Sequence, residues 1–336
     1  MIVDIEQFLR LREELPVVDV RSEGEFNAGH IKGARNIPLL NDRERVEVGT
    51  DYKKKGQLEA IKTGFRLVGP RLPEIIEAAE NTGKELLVHC WRGGMRSGNF
   101  CQFLSMARIK TRQLEGGYRA YRHLALKSFE APLNLIVITG YTGSGKSDVL
   151  RALGEKGEQI IDLEQLAHHK GSAFGGLMMP PQPTTEQFQN NLFETIRTLD
   201  FGKRIWIEDE SLAIGKVFLP DVLWRRMTAS PLVELVVERE VRIQRLVQEY
   251  GHANPEEFLK AMTRIIKKLG GQHFQAAREK LLQGDMTATI DILLNYYDKT
   301  YLHALNRKAA PRVAWRGDGG KAGVVAEELL TLWRNE

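Results

Sequence analysis

The chain has 336 residues, of which 42% are hydrophobic and 27% are charged, and its formal net charge is +4. This length predicts two domains, and the composition excludes a disordered chain and a collagen-like repeat. The net charge is too small to identify a partner by itself.

Three further properties concern the compartment. The longest apolar stretch, around Leu135–Ile138, is far below the roughly 18 residues that cross a bilayer, so we expect no membrane span. The N-terminus has two acidic residues and no basic segment before an apolar core, so we expect no signal peptide. Cys90 and Cys101 are too few for a disulfide framework or a four-ligand zinc site. We therefore expect a cytoplasmic protein.

The first part of the chain alternates between strand and helix patterns. Val17–Val20 and residues 86–89 are short apolar runs typical of strands, and Pro73–Ala79 is predicted as a helix between them. This alternation predicts a parallel sheet with helices on both faces. A break at Ser128–Asn134 predicts one domain over residues 1–130 and a second over residues 131–336.

The second part begins with a β-branched run at residues 133–140, which predicts a buried strand. A glycine-rich turn and a helix over residues 147–154 follow. The remaining hundred residues at the C-terminal end are predicted to be helical. Other predicted elements are strands at residues 159–162, 204–207 and 232–237, and helices that begin at Thr184 and cover Pro255–Leu269.

Residues 89–97 read HCWRGGMRS and lie between a predicted strand and a predicted helix. A cysteine at this junction lies among backbone N–H groups near the positive end of a helix dipole, which favours a thiolate nucleophile. The glycines allow the loop to curl around one anion. A buried structural cysteine is the alternative. We predict Cys90 as the nucleophile and an anion site formed by Arg92, Gly93, Gly94, Arg96 and Ser97.

Segments upstream of this loop complete a pattern that resembles the rhodanese family over about residues 1–127. They are Asp19-Val20-Arg21, Glu25-Phe26, Gly29-His30-Ile31 and residues 33–38. The resemblance implies a loop cysteine that carries a transferable sulfur as a persulfide. Five residues separate Cys90 from Arg96, whereas the usual sulfurtransferase loop has four. Because Cys-dependent phosphatases share the longer spacing, we expect a pocket larger than a bare sulfur atom requires.

Residues 140–147 read GYTGSGKS and fit the phosphate-loop pattern G-x-x-x-x-G-K-[ST], with a strand before and a helix after. In such loops backbone amides hold the phosphates, the lysine neutralises outer oxygens and the hydroxyl binds Mg²⁺. The motif predicts a diphosphate without specifying ATP, since no adenine-recognition motif is present. The predicted diphosphate ligands are Gly140, Gly143, Ser144, Gly145, Lys146 and Ser147.

A second magnesium ligand is expected among acidic residues at strand ends. Glu208-Asp209-Glu210 follow the strand at residues 204–207, and we place Asp209 with Ser147 at the metal. Its two acidic neighbours, Glu208 and Glu210, are alternatives, and Asp162 and Glu164 at another strand end are weaker candidates. A solvated strand end, without a metal, is another explanation for these acids.

Positive charge is concentrated between Lys84 and Lys127, where nine Lys and Arg residues accompany two acidic residues. Such an excess is typical of a nucleic-acid footprint, or of a solvated basic face. The helix predicted over Pro255–Leu269 also carries four basic residues along one side. The ordinary explanation for that helix is an amphipathic element with a solvated face.

Four strings together resemble the tRNA 2-selenouridine synthase family over essentially the whole chain. They are CWRGGMRS at residues 90–97, GYTGSGKS at residues 140–147, DLEQLAHHKGSAFG at residues 162–175 and WIEDES at residues 206–211. The resemblance implies a rhodanese-like parallel-sheet domain followed by a P-loop NTPase-like α/β domain with a helical C-terminal part.

The same resemblance implies a two-step transferase reaction on the wobble uridine of tRNA. The sulfur of 2-thiouridine first takes a geranyl group from geranyl diphosphate, and selenium from selenophosphate then displaces the S-geranyl group. Cys90 would carry selenium as an S-selanyl adduct, with Arg92, Arg96 and the Gly93–Gly94 amides holding selenophosphate. The phosphate loop would hold the diphosphate, with Mg²⁺ as a possible cofactor. The basic segment would meet the anticodon arm, and the enzyme that makes selenophosphate is a second expected partner.

Two other functions fit parts of the pattern. The sequence His-Cys-x5-Arg-Ser is compatible with a Cys-dependent phosphatase, although that chemistry needs a general acid and residues 91–95 contain none. A small-molecule P-loop kinase with a rhodanese module is the second alternative. Hydrolysis of an aryl phosphate would favour the first, and saturable ATP hydrolysis without RNA would favour the second.

Overall fold

The computed structural model describes residues 1–306, 310–317 and 319–333. The chain divides into two compact units, residues 1–128 and residues 129–336. The division falls at the start of the Ser128–Asn134 segment, where Pro132 precedes a new buried strand.

The first unit is built on a five-stranded sheet whose order is β1-β5-β4-β2-β3. All neighbouring strands pair in parallel, so successive strands are connected through helices. The strands are β1 Ile2–Val3, β2 Val17–Asp19, β3 Arg35–Asn36, β4 Glu85–His89 and β5 Lys110–Leu114. The helices are α1 Ile5–Leu11, α2 Glu23–Ala28, α3 Asp42–Lys55, α4 Gln57–Val68, α5 Leu72–Glu80, α6 Met95–Met106 and α7 Gly117–Ser128, and Gly69–Arg71 form a 3₁₀ turn.

The second unit contains another five-stranded parallel sheet, in the order β12-β11-β6-β8-β7. A separate antiparallel pair, β9 and β10, lies outside this sheet. The strands are β6 Asn134–Gly140, β7 Gln159–Ile161, β8 Arg204–Glu208, β9 Ala213–Ile214, β10 Val217–Phe218, β11 Leu232–Val237 and β12 Arg312–Gly317. The helices are α8 Lys146–Glu155, α9 Leu163–Ala167, α10 Thr185–Ile196, α11 Asp221–Ala229, α12 Arg239–Tyr250, α13 Pro255–Thr263, α14 Ile266–Leu269, α15 Gly271–Leu282, α16 Met286–Leu305 and α17 Ala322–Leu332.

The predicted α/β fold class is confirmed, and local signals explain why. The apolar side chains of β6 are buried on both faces of the sheet, as is typical of a central parallel strand. Thr184 caps α10, because its side chain accepts a hydrogen bond from the Gln187 backbone N–H. Asn254 caps α13 in the same manner, with Pro255 at the first helical position.

Two expectations for the C-terminal part are wrong. The helix predicted over Pro255–Leu269 is interrupted at Arg264 and Ile265, so α13 and α14 are separate. Residues 312–317, expected to be helical, form the edge strand β12, which pairs with β11 along its whole length. Only Trp315 of this strand is buried. An edge strand with one buried side chain has little pattern of its own, so pairing with β11 decides its structure.

Buried apolar side chains form separate cores. One core of the first unit includes Cys90 together with Val18, Val88 and Phe100. In the second unit one core lies between the sheet and the helices α8 and α17, and another joins α12, α13, α15 and α16. Within the described part of the chain, no helix combines the length and apolarity needed to cross a membrane.

Candidate functional site

The cysteine loop connects β4 with α6 in the first unit. Cys90 follows the last residue of β4 and is 3% exposed. Its Sγ lies 3.1 Å from the Oγ of Ser97, a buried residue in the first turn of α6. Ser97 was predicted as part of an anion site, and here its hydroxyl contacts the sulfur of Cys90 directly.

Two glycines bring the loop close to the turn between β5 and α7. Gly93 has a φ of 67°, and a Cβ at this position would lie 2.6 Å from the Leu114 carbonyl oxygen. A Cβ on Gly117 would lie 2.4 Å from the Cys90 carbonyl oxygen. The Tyr118 N–H donates to that same oxygen at 2.8 Å. The close approach therefore requires glycine at both positions.

Gln113 supports the loop from β5, and sequence reasoning did not identify it. Its Nε2 donates to the Gly93 carbonyl at 2.6 Å and to the Ser97 Oγ at 3.0 Å. Since the Ser97 oxygen accepts from Gln113, its own proton is available for the sulfur of Cys90 or for the Gly94 carbonyl at 3.2 Å. Only the pairing of β4 with β5 brings Gln113 here, and no local signal indicates it.

The two loop arginines have different surroundings. Arg96 makes a two-point ion pair with Glu25, whose carboxylate also lies 3.1 Å from the Arg45 Nε. Burial alone would raise the pKa of Glu25, but Arg96 and Arg45 lower it. Arg92 is exposed and has no hydrogen bond or ion pair with the described residues. Thus Arg92 is available to an incoming anion, whereas the charge of Arg96 is balanced within the protein.

Residues of the rhodanese-like pattern are buried next to the cysteine loop and contact it. Arg21 and Asp19 are fully buried and pair at 2.6 Å, and Arg21 also donates to the Gly29 carbonyl at 2.7 Å. Burial would raise the pKa of Asp19, but neighbouring positive groups lower it. The Arg21 guanidinium carbon lies 3.8 Å from the ring centroid of Tyr118 and 5.9 Å from that of Trp91. These contacts hold Trp91, which follows Cys90, and Tyr118, whose N–H donates to the Cys90 carbonyl.

The phosphate loop connects β6 with α8 in the second unit. The Lys146 Nζ donates to the Gly140 carbonyl at 3.2 Å, so the lysine folds back over the loop. Ser144 is 2% exposed, and its Oγ has no hydrogen-bond partner among the described residues. Because α8 begins at Lys146, its first backbone N–H groups are directed toward the loop. The predicted phosphate ligands are therefore brought together around one position.

Two arginines of α12 add positive charge to this loop. The Arg242 Nη1 donates to the Thr142 carbonyl at 3.2 Å, and the Arg245 Nη1 donates to the Ser144 carbonyl at 2.6 Å. Arg242 is also paired with Asp298, whereas Arg245 has no carboxylate partner among the described residues. Sequence reasoning missed both. Their spacing of three residues on a helix places them on one face, but only the fold shows that this face meets the phosphate loop.

The acidic residues near this loop differ from those expected. The Ser147 Oγ donates to the Glu164 carboxylate at 2.7 Å, and the Glu164 N–H donates to Glu208 at 2.6 Å. Asp209, placed with Ser147 from the sequence, instead accepts a hydrogen bond from Thr139 at 2.6 Å. The acid next to Ser147 is thus Glu164. Burial and mutual repulsion raise the pKa of Glu164 and Glu208, and they raise that of Glu210 to about 8.

The donor atoms next to Ser147 fit a magnesium ion that is shared with a phosphate ligand. Hydroxyl and carboxylate oxygens are the ligands that Mg²⁺ prefers, and it usually takes only one or two of them from the protein. Ser147 and Glu164 supply one each, and the buried Glu208 Oε2 has no partner within the described residues. No group of three or more His, Cys, Asp or Glu residues in the described ranges is arranged to hold a metal alone.

Two protein-family models match the chain. The rhodanese-like domain model covers residues 4–124, and the model described as the tRNA 2-selenouridine synthase AAA domain covers residues 133–328. The protein is therefore a rhodanese-like domain fused to a P-loop domain, each with its loop intact.

Individual relatives agree over nearly the whole length. The tRNA 2-selenouridine synthase of Sulfurovum sp. (strain NBC37-1) is 34% identical, over 90% of this chain and 92% of the relative. Those of Shewanella denitrificans and Marinobacter nauticus are also 34% identical, over 96% and 98% of this chain and 96% and 97% of their own lengths. The chain belongs to the tRNA 2-selenouridine synthase family, which confirms the resemblance found in the sequence.

Proposed function

We propose that this protein is a tRNA-modifying transferase that converts wobble 2-thiouridine into 2-selenouridine. The observation that carries the proposal is family membership over the whole chain, combined with two intact loops of different chemistry. One loop presents a buried cysteine next to a serine hydroxyl, and the other presents a phosphate cradle. A sulfur-to-selenium exchange driven by an alkyl diphosphate uses both.

The first step of the proposal belongs to the phosphate loop. The sulfur of 2-thiouridine forms a bond to the terminal carbon of the geranyl group as the bond from that carbon to the diphosphate breaks. The diphosphate leaves with the electron pair, and the sulfur becomes a neutral thioether after the base loses its proton. The loop amides, Lys146 and Arg245 stabilise the leaving group, since preorganised donors act where charge develops. Ser147 and Glu164 would hold Mg²⁺, which neutralises diphosphate charge when bound.

The second step belongs to the cysteine loop. The selenium of selenophosphate forms a bond to C2 of the base as the C2–S bond breaks, and geranyl thiolate leaves with the electron pair. Water then cleaves the Se–P bond, which releases phosphate and leaves selenium on C2 with no change of oxidation state. Cys90 holds the selenium next to the base, as the family resemblance implies. Arg92 and the Gly93–Gly94 amides hold the phosphoryl group of selenophosphate, whereas Arg96 positions the loop through Glu25.

The tRNA contacts the exposed part of the basic segment. Arg108, Lys110, Arg119 and Lys127 are exposed, whereas Arg112 is paired with Glu85 at 2.6 Å. Positive side chains that face solvent are those that can neutralise backbone phosphates. The enzyme that makes selenophosphate is proposed as a second partner, because it supplies the selenium donor.

The test is nucleoside mass spectrometry of tRNA that carries 2-thiouridine. With geranyl diphosphate alone the protein should produce S-geranyl-2-thiouridine, and with selenophosphate added it should produce 2-selenouridine. Unchanged 2-thiouridine under both conditions contradicts the proposal. Hydrolysis of an aryl phosphate in place of tRNA modification would favour the phosphatase alternative.

A further inference from the structure

A cavity of about 140 Å³ opens in the first unit, next to the start of α6. Its walls come from α3, α4, α6 and the segment after β3. Most of the lining side chains are aliphatic or aromatic, and the polar ones are few. The lining side chains used below are Leu39, Val48, Phe65, Val68, Met95 and Arg96.

This cavity adjoins the cysteine loop. Met95 and Arg96 line it, and they are the first two residues of α6, directly after the loop that begins at Cys90. Leu39 and Val68 line it from the other side, and both belong to the same buried apolar cluster as Cys90. A ligand in the cavity therefore lies beside the start of the helix that follows the cysteine loop.

Selenophosphate is an anion and does not suit the apolar lining of this cavity. A small anion needs N–H donors and positive charge. The backbone of the cysteine loop and Arg92 provide both, and Arg92 does not line the cavity. The cavity instead has large apolar side chains at its mouth, with Tyr52 59% exposed, Phe65 53% and Met95 49%. Apolar side chains that converge around an opening indicate a ligand with an apolar part.

We propose that this cavity receives the ten-carbon geranyl chain of S-geranyl-2-thiouridine when the modified base reaches Cys90. The inference rests on the proposed function and adds the site that recognises the alkyl group in the second step. A dry cavity of about 150 Å³ with a similar lining holds a molecule of the size of benzene. A cavity of this volume thus holds about six of the ten geranyl carbons, and the rest of the chain, with the sulfur, extends through the mouth.

The location gives the chain a role in selectivity. Unmodified 2-thiouridine has no alkyl group to fill the cavity, so it gains no apolar contact next to Cys90. Binding of the alkyl chain would bring the base to the selenium only after the first step is complete. The leaving group is geranyl thiolate. Its apolar chain occupies the same cavity until the product dissociates.

The test compares two substrates with three variants of the full chain. The substrates are tRNAs with S-geranyl-2-thiouridine and with S-methyl-2-thiouridine, each supplied with selenophosphate. Phe65→Ser removes one wall, Val48→Trp fills the space, and Leu58→Ser is the control, since Leu58 is 65% exposed on the same helix as Phe65 and does not line the cavity. Conversion of the geranyl substrate should fall about tenfold in the first two variants, which corresponds to losing most of one buried side-chain contact. Conversion of the methyl substrate should not change, and Leu58→Ser should equal the wild type.

A second readout keeps the inference separate from the proposed function. Hydrogen exchange of α4 should slow when the protein binds tRNA with S-geranyl-2-thiouridine, but not with 2-thiouridine. If the wild-type protein makes no 2-selenouridine from either substrate, the proposed function fails, and protection of α4 alone decides the inference. Equal losses for the geranyl and methyl substrates, or no protection of α4, would overturn the geranyl assignment.

Discussion

The cysteine loop and the phosphate loop have the same local architecture and different electrostatics. Each is a glycine-containing turn that follows a buried parallel strand and precedes a helix. In the cysteine loop the charge of Arg96 is balanced by Glu25, and Cys90 is buried. Among the described residues, Lys146 of the phosphate loop and Arg245 of α12 donate only to backbone carbonyls. The first arrangement suits a covalent exchange with a small anion, and the second suits a strongly charged diphosphate.

The largest effect is expected at Lys146, whose charge is proposed to stabilise the leaving diphosphate. Lys146→Ala should lower the rate of geranylation by about 10²–10³, because it removes a preorganised cation from the developing charge. The measurement is formation of S-geranyl-2-thiouridine at saturating geranyl diphosphate. Lys156→Ala is the control, since the Lys156 side chain makes a surface ion pair with Glu327 at 2.6 Å. A loss of equal size in both variants would contradict a local role for Lys146.

The next prediction concerns the acid that acts with Ser147. Glu164→Gln should raise the Mg²⁺ concentration needed for half-maximal geranylation about tenfold, since a carboxylate binds Mg²⁺ more strongly than an amide. Asp209→Asn should have a smaller effect, because Asp209 is bonded to Thr139. Magnesium titrations of the two variants give the comparison. A larger effect of Asp209→Asn than of Glu164→Gln would indicate that Asp209 is the magnesium ligand.

Breaking the ion pair of the cysteine loop should mainly affect stability. Glu25→Gln should lower the free energy of unfolding by about 1–2 kcal/mol at neutral pH, because Arg96 loses a partly buried partner. The pKa of Glu25 is lowered by folding, so this stabilisation is present above its usual value of about 4.5 and is lost as the pH falls through the folded-state pKa.

Urea unfolding at several pH values, with hydrogen exchange of β4 and α6 as the readout, tests that prediction. These two elements flank the cysteine loop, so their protection reports on the first unit, whereas four of the five tryptophans lie in residues 129–336. The difference between Glu25→Gln and the wild type should be largest at pH 7 and vanish in acid. Glu47→Gln, at an exposed position of α3, should match the wild type throughout. A difference that persists in acid would exclude the ion pair as its cause.

The smallest effect is expected for the basic segment. Replacing Arg108, Lys110 and Arg119 by alanine should reduce the slope of log affinity for tRNA against log salt by about 0.7–0.9 per lost phosphate contact. Replacement of Lys203 and Lys216, which are exposed in the second unit, should leave the slope unchanged. An unchanged slope in the triple variant would place the tRNA elsewhere, with the basic side of α13 and α14 as the next candidate.

Local sequence was sufficient for features that depend on neighbours in the chain. The buried strand β6, the caps at Thr184 and Asn254 and both loops follow from patterns of a few residues. Strand β12 was not predictable in this way, because its structure comes from pairing with β11.

Partners that are distant in sequence explain the remaining differences at the sites. Glu25 and Arg96 are 71 residues apart, and Arg245 reaches a loop carbonyl 101 residues away. Strand order alone would favour Asp209, since β8 lies next to β6. Asp209 instead accepts from Thr139 of β6, and Glu164 in the first turn of α9 accepts from Ser147. Residue types therefore indicated the chemistry of each loop, whereas the fold was needed to assign individual partners.

The central claim is that the two loops divide the reaction, and Cys90→Ser tests it most directly. Nucleosides should be analysed after incubation with 2-thiouridine tRNA, geranyl diphosphate and selenophosphate, with Lys146→Ala in parallel. We predict that Cys90→Ser accumulates S-geranyl-2-thiouridine, because a serine hydroxyl cannot replace the thiolate as a selenium carrier. Lys146→Ala should leave 2-thiouridine unmodified but convert tRNA that is already geranylated. If Cys90→Ser folds normally and yet makes no geranylated nucleoside, the division is wrong and one composite site performs both steps.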